Sequence, residues 1–135
     1  GKITFDIQAT DNVLALFINA EVIPLRAVTS FTSFPYIEGY SWNLFLLESY
    51  CRRFSKQFKF QCLSVNSRNV GAIFRNLAGF ADYTTVLATA VANASVELAE
   101  KKVGDFLFDS GYIARRTGVI SDVIAKARIL RERIV

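Results

Sequence analysis

The chain has 135 residues, 52% of them apolar and 21% charged, which excludes a disordered or low-complexity chain and suits a single domain spanning 1–135. It carries 16 basic and 12 acidic side chains and no histidine, so Ser-His-Asp and Cys-His catalysis and every histidine-containing zinc site are excluded. Cys51 and Cys62 are too few for a four-thiolate zinc site and too far apart for a C-x-x-C redox pair. They read as small core hydrophobes of a reduced, intracellular protein, cytoplasmic or nuclear.

The alternation Ile3-Thr4-Phe5-Asp6-Ile7 predicts a strand with one buried face. Ala9-Thr10-Asp11-Asn12 has turn chemistry, and the apolar run Val13 to Ile18 predicts a central strand, with a short helix as its rival. Asn19-Ala20-Glu21 turns the chain back into a partner strand from Val22 to Thr29, where Pro24 marks an edge or a strand start. Ser30 to Tyr40 reads as an ordered, aromatic-rich loop.

Ser41 is the expected N-cap of a helix reaching Gln57, with Leu44, Leu47, Cys51, Phe54 and Phe58 as its apolar face. Phe58 to Leu63 and Val70 to Phe74 predict two strands separated by a polar turn, and Ala78-Gly79-Phe80 ends the second. Asp82 caps a helix whose residues Tyr83, Val86, Leu87, Ala90, Val91 and Ala94 keep helical spacing. Ser95 is expected to cap another helix as far as Ser110, stopped by Gly111. Tyr112 to Ile120 reads as a hairpin around Thr117-Gly118, either a structural hairpin with a solvated tip or a wing that carries Arg115 and Arg116 near a phosphate backbone. Ser121 opens a last helix with Val123, Ala127, Leu130 and Ile134 inward and Asp122 favourable to its dipole. The predicted class is α+β: a small, mainly antiparallel sheet from residues 3–29 and 58–75, with three to four helices and a helical C-terminal half.

Charge is segregated along the chain. Residues 1–50 and 82–110 each carry two basic and five acidic side chains. Residues 51–81 carry six basic and no acidic ones: Arg52, Arg53, Lys56, Lys59, Arg68 and Arg75. Residues 111–135 carry Arg115, Arg116, Lys126, Arg128, Arg131 and Arg133 against two acids. If the two blocks meet on one face, they make an anion-binding surface suited to the phosphates of DNA or RNA. Tyr50, Phe54, Phe58 and Phe60 interleave with the first block, as aromatics do in single-strand sites. The blander reading is a solvated helix face with those aromatics in the core.

The expected function is therefore a non-catalytic basic binding module contacting nucleic-acid phosphates. Arg52, Arg53, Lys56, Lys59, Arg68, Arg75, Arg115, Arg116 and Arg128 are its candidate contacts. The alternative is a protein–protein or self-association module using the aromatic loop Phe31, Phe34, Tyr36, Tyr40 and Trp42, residue types enriched at interface hot spots.

Enzyme readings find little footing. The polar loop Ser64 to Gly71 offers Arg68 and backbone N–H groups to a phosphate but contains neither glycine-rich phosphate motif. Asp6, Asp11, Glu21, Glu38 and Glu48 are potential Mg²⁺ ligands, yet no predicted strand carries the Glu-x-Lys of restriction-type nucleases. No cofactor, metal or catalytic residue is expected. No membrane contact is expected, because no stretch approaches the ~18 uncharged apolar residues of a span. The start at Gly1-Lys2 and the absence of methionine point to a domain excised from a longer polypeptide.

Overall fold

The computed structural model describes residues 3–18, 21–64, 66, 68–80, 82–116 and 118–134. Three short strands, β1 (Val22–Pro24), β2 (Phe58–Cys62) and β3 (Gly71–Arg75), form an antiparallel sheet in the order β1-β3-β2. Among the described residues, five helices pack around it: α1 (Ile7–Phe17), α2 (Leu44–Arg53), α3 (Tyr83–Asn93), α4 (Glu100–Ser110) and α5 (Ile120–Ile134). The α+β class is borne out, with three strands in the N-terminal half and a helical C-terminal half.

The central strand organises both cores. Ile73 joins Leu14, Ile18, Leu47, Tyr50 and Phe58 under α1 and α2. Its neighbours Ala72 and Phe74 point the other way, into a core built with α3, α4 and α5. A strand covered on both faces needs apolar residues at consecutive positions, and Gly71 to Phe74 are all buried. Gly71 sits at φ +141, and a Cβ there would lie 1.9 Å from the Gln61 carbonyl oxygen, so only glycine permits this strand pairing. Pro24 lies on the edge strand β1, as expected, but β1 pairs with β3 rather than with a preceding strand.

The N-terminal strands are overturned. Residues 3–6 are not a strand, and Ile7 to Phe17 is one helix in place of a turn followed by a central strand. Asp6 caps it by accepting from the Ala9 N–H, and the Thr10 hydroxyl donates to the Asp6 carbonyl. Thr10 and Asp11 resemble a turn in sequence but are buried, so the inward stripe is Thr10, Asp11, Leu14 and Ile18. Of the expected turn 19–21, Asn19 and Ala20 lie outside the described residues. The strand expected over 22–29 stops at Pro24 and passes into a 3₁₀ turn at Leu25–Ala27.

Three more boundaries move. α2 is capped by Asn43, which accepts from the Leu46 N–H, rather than by Ser41, and it ends at Arg53 before Phe58 begins β2. α4 starts at Glu100, five residues beyond the expected Ser95 cap. Gly111 does stop α4, at φ +86. The wing is absent among the described residues: Tyr112 and Ile113 are both buried instead of alternating, and Ile120 already belongs to α5. Thr117 of the expected turn lies outside the described residues, as does the side chain of Ile134. α3 matches its expectation, down to the Asp82 cap accepting from Thr85.

Candidate nucleic-acid interface

The first basic block is gathered where α2 ends and β2 begins. Arg52 and Arg53 occupy the last turn of α2, where cations complement the helix dipole. Lys56 follows in the connection, and Lys59 lies on β2, cross-strand from Phe74. Arg52, Arg53, Lys56 and Lys59 are all exposed. A groove of about 320 Å³ runs along this edge of the sheet, and Arg52, Ser55, Lys59, Gln61 and Asn76 supply its polar lining. Phe60 lines the same groove.

The acids nearest this junction are neutralised or hidden. Glu48 is buried and accepts from two guanidiniums, Arg68 Nε at 2.9 Å and Arg52 Nη2 at 3.4 Å. Asp11 is 1% exposed, and its carboxylate receives the Ser55 hydroxyl at 2.6 Å, the Tyr50 hydroxyl at 2.7 Å and the Lys56 backbone N–H at 3.1 Å. A buried carboxylate without a cation is held by such charge-assisted bonds. Here they fix α1 against the α2–β2 connection that carries the cations. Among the described residues, Arg53, Lys56 and Lys59 enter no side-chain ion pair.

Other candidate cations are committed elsewhere. Arg68 is partly buried, stacks over the Phe45 ring at 4.8 Å, and is held more firmly protonated by its bond to Glu48. Arg75 lies over the Phe58 ring at 5.3 Å. In the second block, Arg116 pairs with Asp105 and stacks over Phe108, and Lys126 lies 3.7 Å from Asp82. Arg131 closes the C-terminus of α3 by donating to the carbonyls of Val91, Ala92, Ala94 and Val96. Only Arg115 and Arg128 of the second-block candidates are exposed and without an ion pair among the described residues. The blocks also ride on different layers: α2 packs into the core shared with α1, and α5 into the core shared with α3 and α4.

The aromatic loop divides in two. Phe34 is buried, its ring centroid 5.0 Å from Trp42 and 5.1 Å from Phe31. Trp42 also contacts Phe5 and Tyr50, and its indole N–H donates to the Pro35 carbonyl at 2.7 Å. These three rings roof the α1–α2 core. Tyr36 and Tyr40 instead project from a tight turn closed by an Ile37–Tyr40 bridge, 87% and 44% exposed.

Sequence reasoning placed Asp11 in a turn and overlooked its role at this junction. The one available signal was a carboxylate among apolar residues at helical spacing, Ile7, Asp11, Leu14 and Ile18. Among the described residues, no group of three or more Cys, Asp or Glu side chains is placed to hold a metal ion, and no helix is long and apolar enough to cross a membrane. Comparison of the chain with protein families, with curated proteins and with solved structures finds no match.

Proposed function

We propose that the chain is a non-catalytic binding module that holds nucleic acid by its phosphates, with the α2–β2 junction as its contact face. The observation that carries this reading is the asymmetry of charge there. Arg52, Arg53, Lys56 and Lys59 stand exposed at this junction, and Arg52 and Lys59 line its groove. The nearby carboxylates of Glu48 and Asp11 are buried and already bonded. Cations on an exposed junction release counterions when they neutralise phosphates, which favours association with any polyanion of suitable spacing. Gln61 and Asn76 add neutral hydrogen-bonding groups along the same groove, residue types that position a phosphate backbone without reading sequence.

This reading rests on the first block; in the second, Arg116, Lys126 and Arg131 are tied to other parts of the fold. Arg115 and Arg128 remain peripheral candidates. The test is an anisotropy titration with labelled single-stranded and duplex oligonucleotides over a range of salt. Binding should weaken steeply with salt. The double variant Arg52→Glu, Arg53→Glu should weaken it on all sequences and flatten the salt dependence by about one to two units of slope. Arg115→Glu with Arg128→Glu should do less. No binding at roughly 50 mM salt, or binding indifferent to the Arg52 and Arg53 reversal, overturns the proposal.

A second reading is favoured by one observation, the exposed pair Tyr36 and Tyr40. It makes the loop tip a contact for a protein partner or a second copy of the chain. Replacing both tyrosines by serine should then abolish self-association seen by sedimentation, without changing the salt dependence of any nucleic-acid binding.

A further inference from the structure

On the α3–α5 side a cavity of about 640 Å³ opens between α3, α5 and the 3₁₀ turn Ala78–Phe80. Its volume is that of a small-molecule site. Leu77, Phe80 and Leu130 give it an apolar wall, and the nearly buried Thr89 lines it too. The Thr89 hydroxyl donates to the Thr85 carbonyl at 2.9 Å, which leaves its oxygen as an acceptor.

Two opposite charges line this same cavity, Glu21 and Arg133. Among the described residues neither enters an ion pair, with the other or with any third side chain. Glu21 is also the one described non-glycine residue with positive φ, at 69°. That conformation is costly for a glutamate and is held by the Glu21 carbonyl accepting from the Arg75 N–H at 3.0 Å. The strained residue thus continues the β1–β3 ladder through its backbone while its side chain borders the cavity.

We propose that this cavity binds a small amphipathic zwitterion of the size of an apolar amino acid. Its ammonium group sits against Glu21, its carboxylate against Arg133, and its apolar body on Leu77, Phe80 and Leu130. The lining offers one carboxylate, one guanidinium and an apolar wall, so an anion alone leaves Glu21 unengaged and a purely apolar ligand engages neither charge. A zwitterion satisfies both at once.

The experiment is a ¹⁵N-resolved titration of the purified chain with L-phenylalanine, N-acetyl-L-phenylalanine and L-phenylalanine amide. Phenylalanine should give saturable shifts centred on Thr85, Thr89, Ala92 and Asn93, in the millimolar range or tighter. The acetylated and amide analogues, each lacking one charge, should bind about tenfold more weakly. Glu21→Gln should erase the preference over the acetyl analogue, and Arg133→Gln the preference over the amide. Both residues are exposed, and unchanged thermal melts verify that the variants fold. The absence of saturable shifts with phenylalanine, or equal binding of all three compounds by the parent chain, overturns the proposal.

Discussion

The Tyr50 hydroxyl donates to the Asp11 carboxylate at 2.7 Å, joining α2 to α1 across a buried seam. Asp11 raises the proton affinity of Tyr50, adding to the larger effect of burial, so Tyr50 remains a donor well beyond the ordinary phenol range. The same carboxylate fixes Ser55 and Lys56. A polar knot in the core therefore sets the geometry of the exposed basic junction.

Removing that knot should weaken both fold and binding. Asp11→Ala leaves the Ser55 hydroxyl and the Lys56 N–H without their acceptor, and it should cost about 3 kcal/mol in chemical denaturation. Asp11→Asn keeps Oδ1 for Tyr50 and Ser55 but turns an amide toward the Lys56 N–H, so its loss should be intermediate. An Asp11→Ala chain within about 1 kcal/mol of the parent would show that the seam does not depend on the carboxylate.

Arg131 should prove structural rather than a phosphate contact. Its guanidinium satisfies four carbonyls at and beyond the end of α3. Arg131→Met should destabilise the domain by about 2 kcal/mol, and Arg131→Lys should recover little, because an ammonium cannot reproduce the planar fork. Urea melts of the two variants measure this. Full rescue by lysine would mean that charge, not geometry, is what matters there.

Gly71 should tolerate no side chain. A Cβ would strike the Gln61 carbonyl oxygen, and φ +141 is unfavourable for any L-residue. Gly71→Ala should separate β2 from β3 and cost more than about 3 kcal/mol. Gly79 has open space around it, so Gly79→Ala serves as a matched control that should melt near the parent temperature.

Alkaline pH should destabilise the fold partly through Cys51. Burial, with Asp11 nearby, pushes its thiol up to about 12. The unfolded thiol ionises near 8.5. Below that pH the native preference for the neutral thiol is fully present. Between about 8.5 and 12 the unfolded chain loses its proton first, so stability falls as pH rises through that window. Tyr83 and Tyr112, also raised by burial, act in the same direction. Denaturant midpoints from pH 7 to 10.5 should decline, and Cys51→Ala should decline less steeply than the parent. Rapid labelling of Cys51 by a thiol reagent at pH 8 in the native state would contradict its buried, protonated character.

Local signals are enough to specify the elements in which they agree with burial. In α3, the Asp82 cap and an apolar face at helical spacing point to one answer. In β2 and β3, alternating or continuous apolar residues lie between polar turns. In α4, Gly111 supplies the left-handed stop. That the first basic block carries no acid of its own is equally legible in the sequence. It takes the packing of distant elements to make Thr10 and Asp11 helix interior rather than turn. The Asp11 carboxylate is satisfied by partners as distant in sequence as Ser55 and Lys56, which no local window contains. The same reason separates the cations. Whether an arginine meets solvent, a carboxylate or a helix end depends on which element packs beside it. Arg53 stays exposed, Arg68 is drawn onto Glu48, and Arg131 is spent on the carbonyls of α3 because folding brings those acceptors within reach.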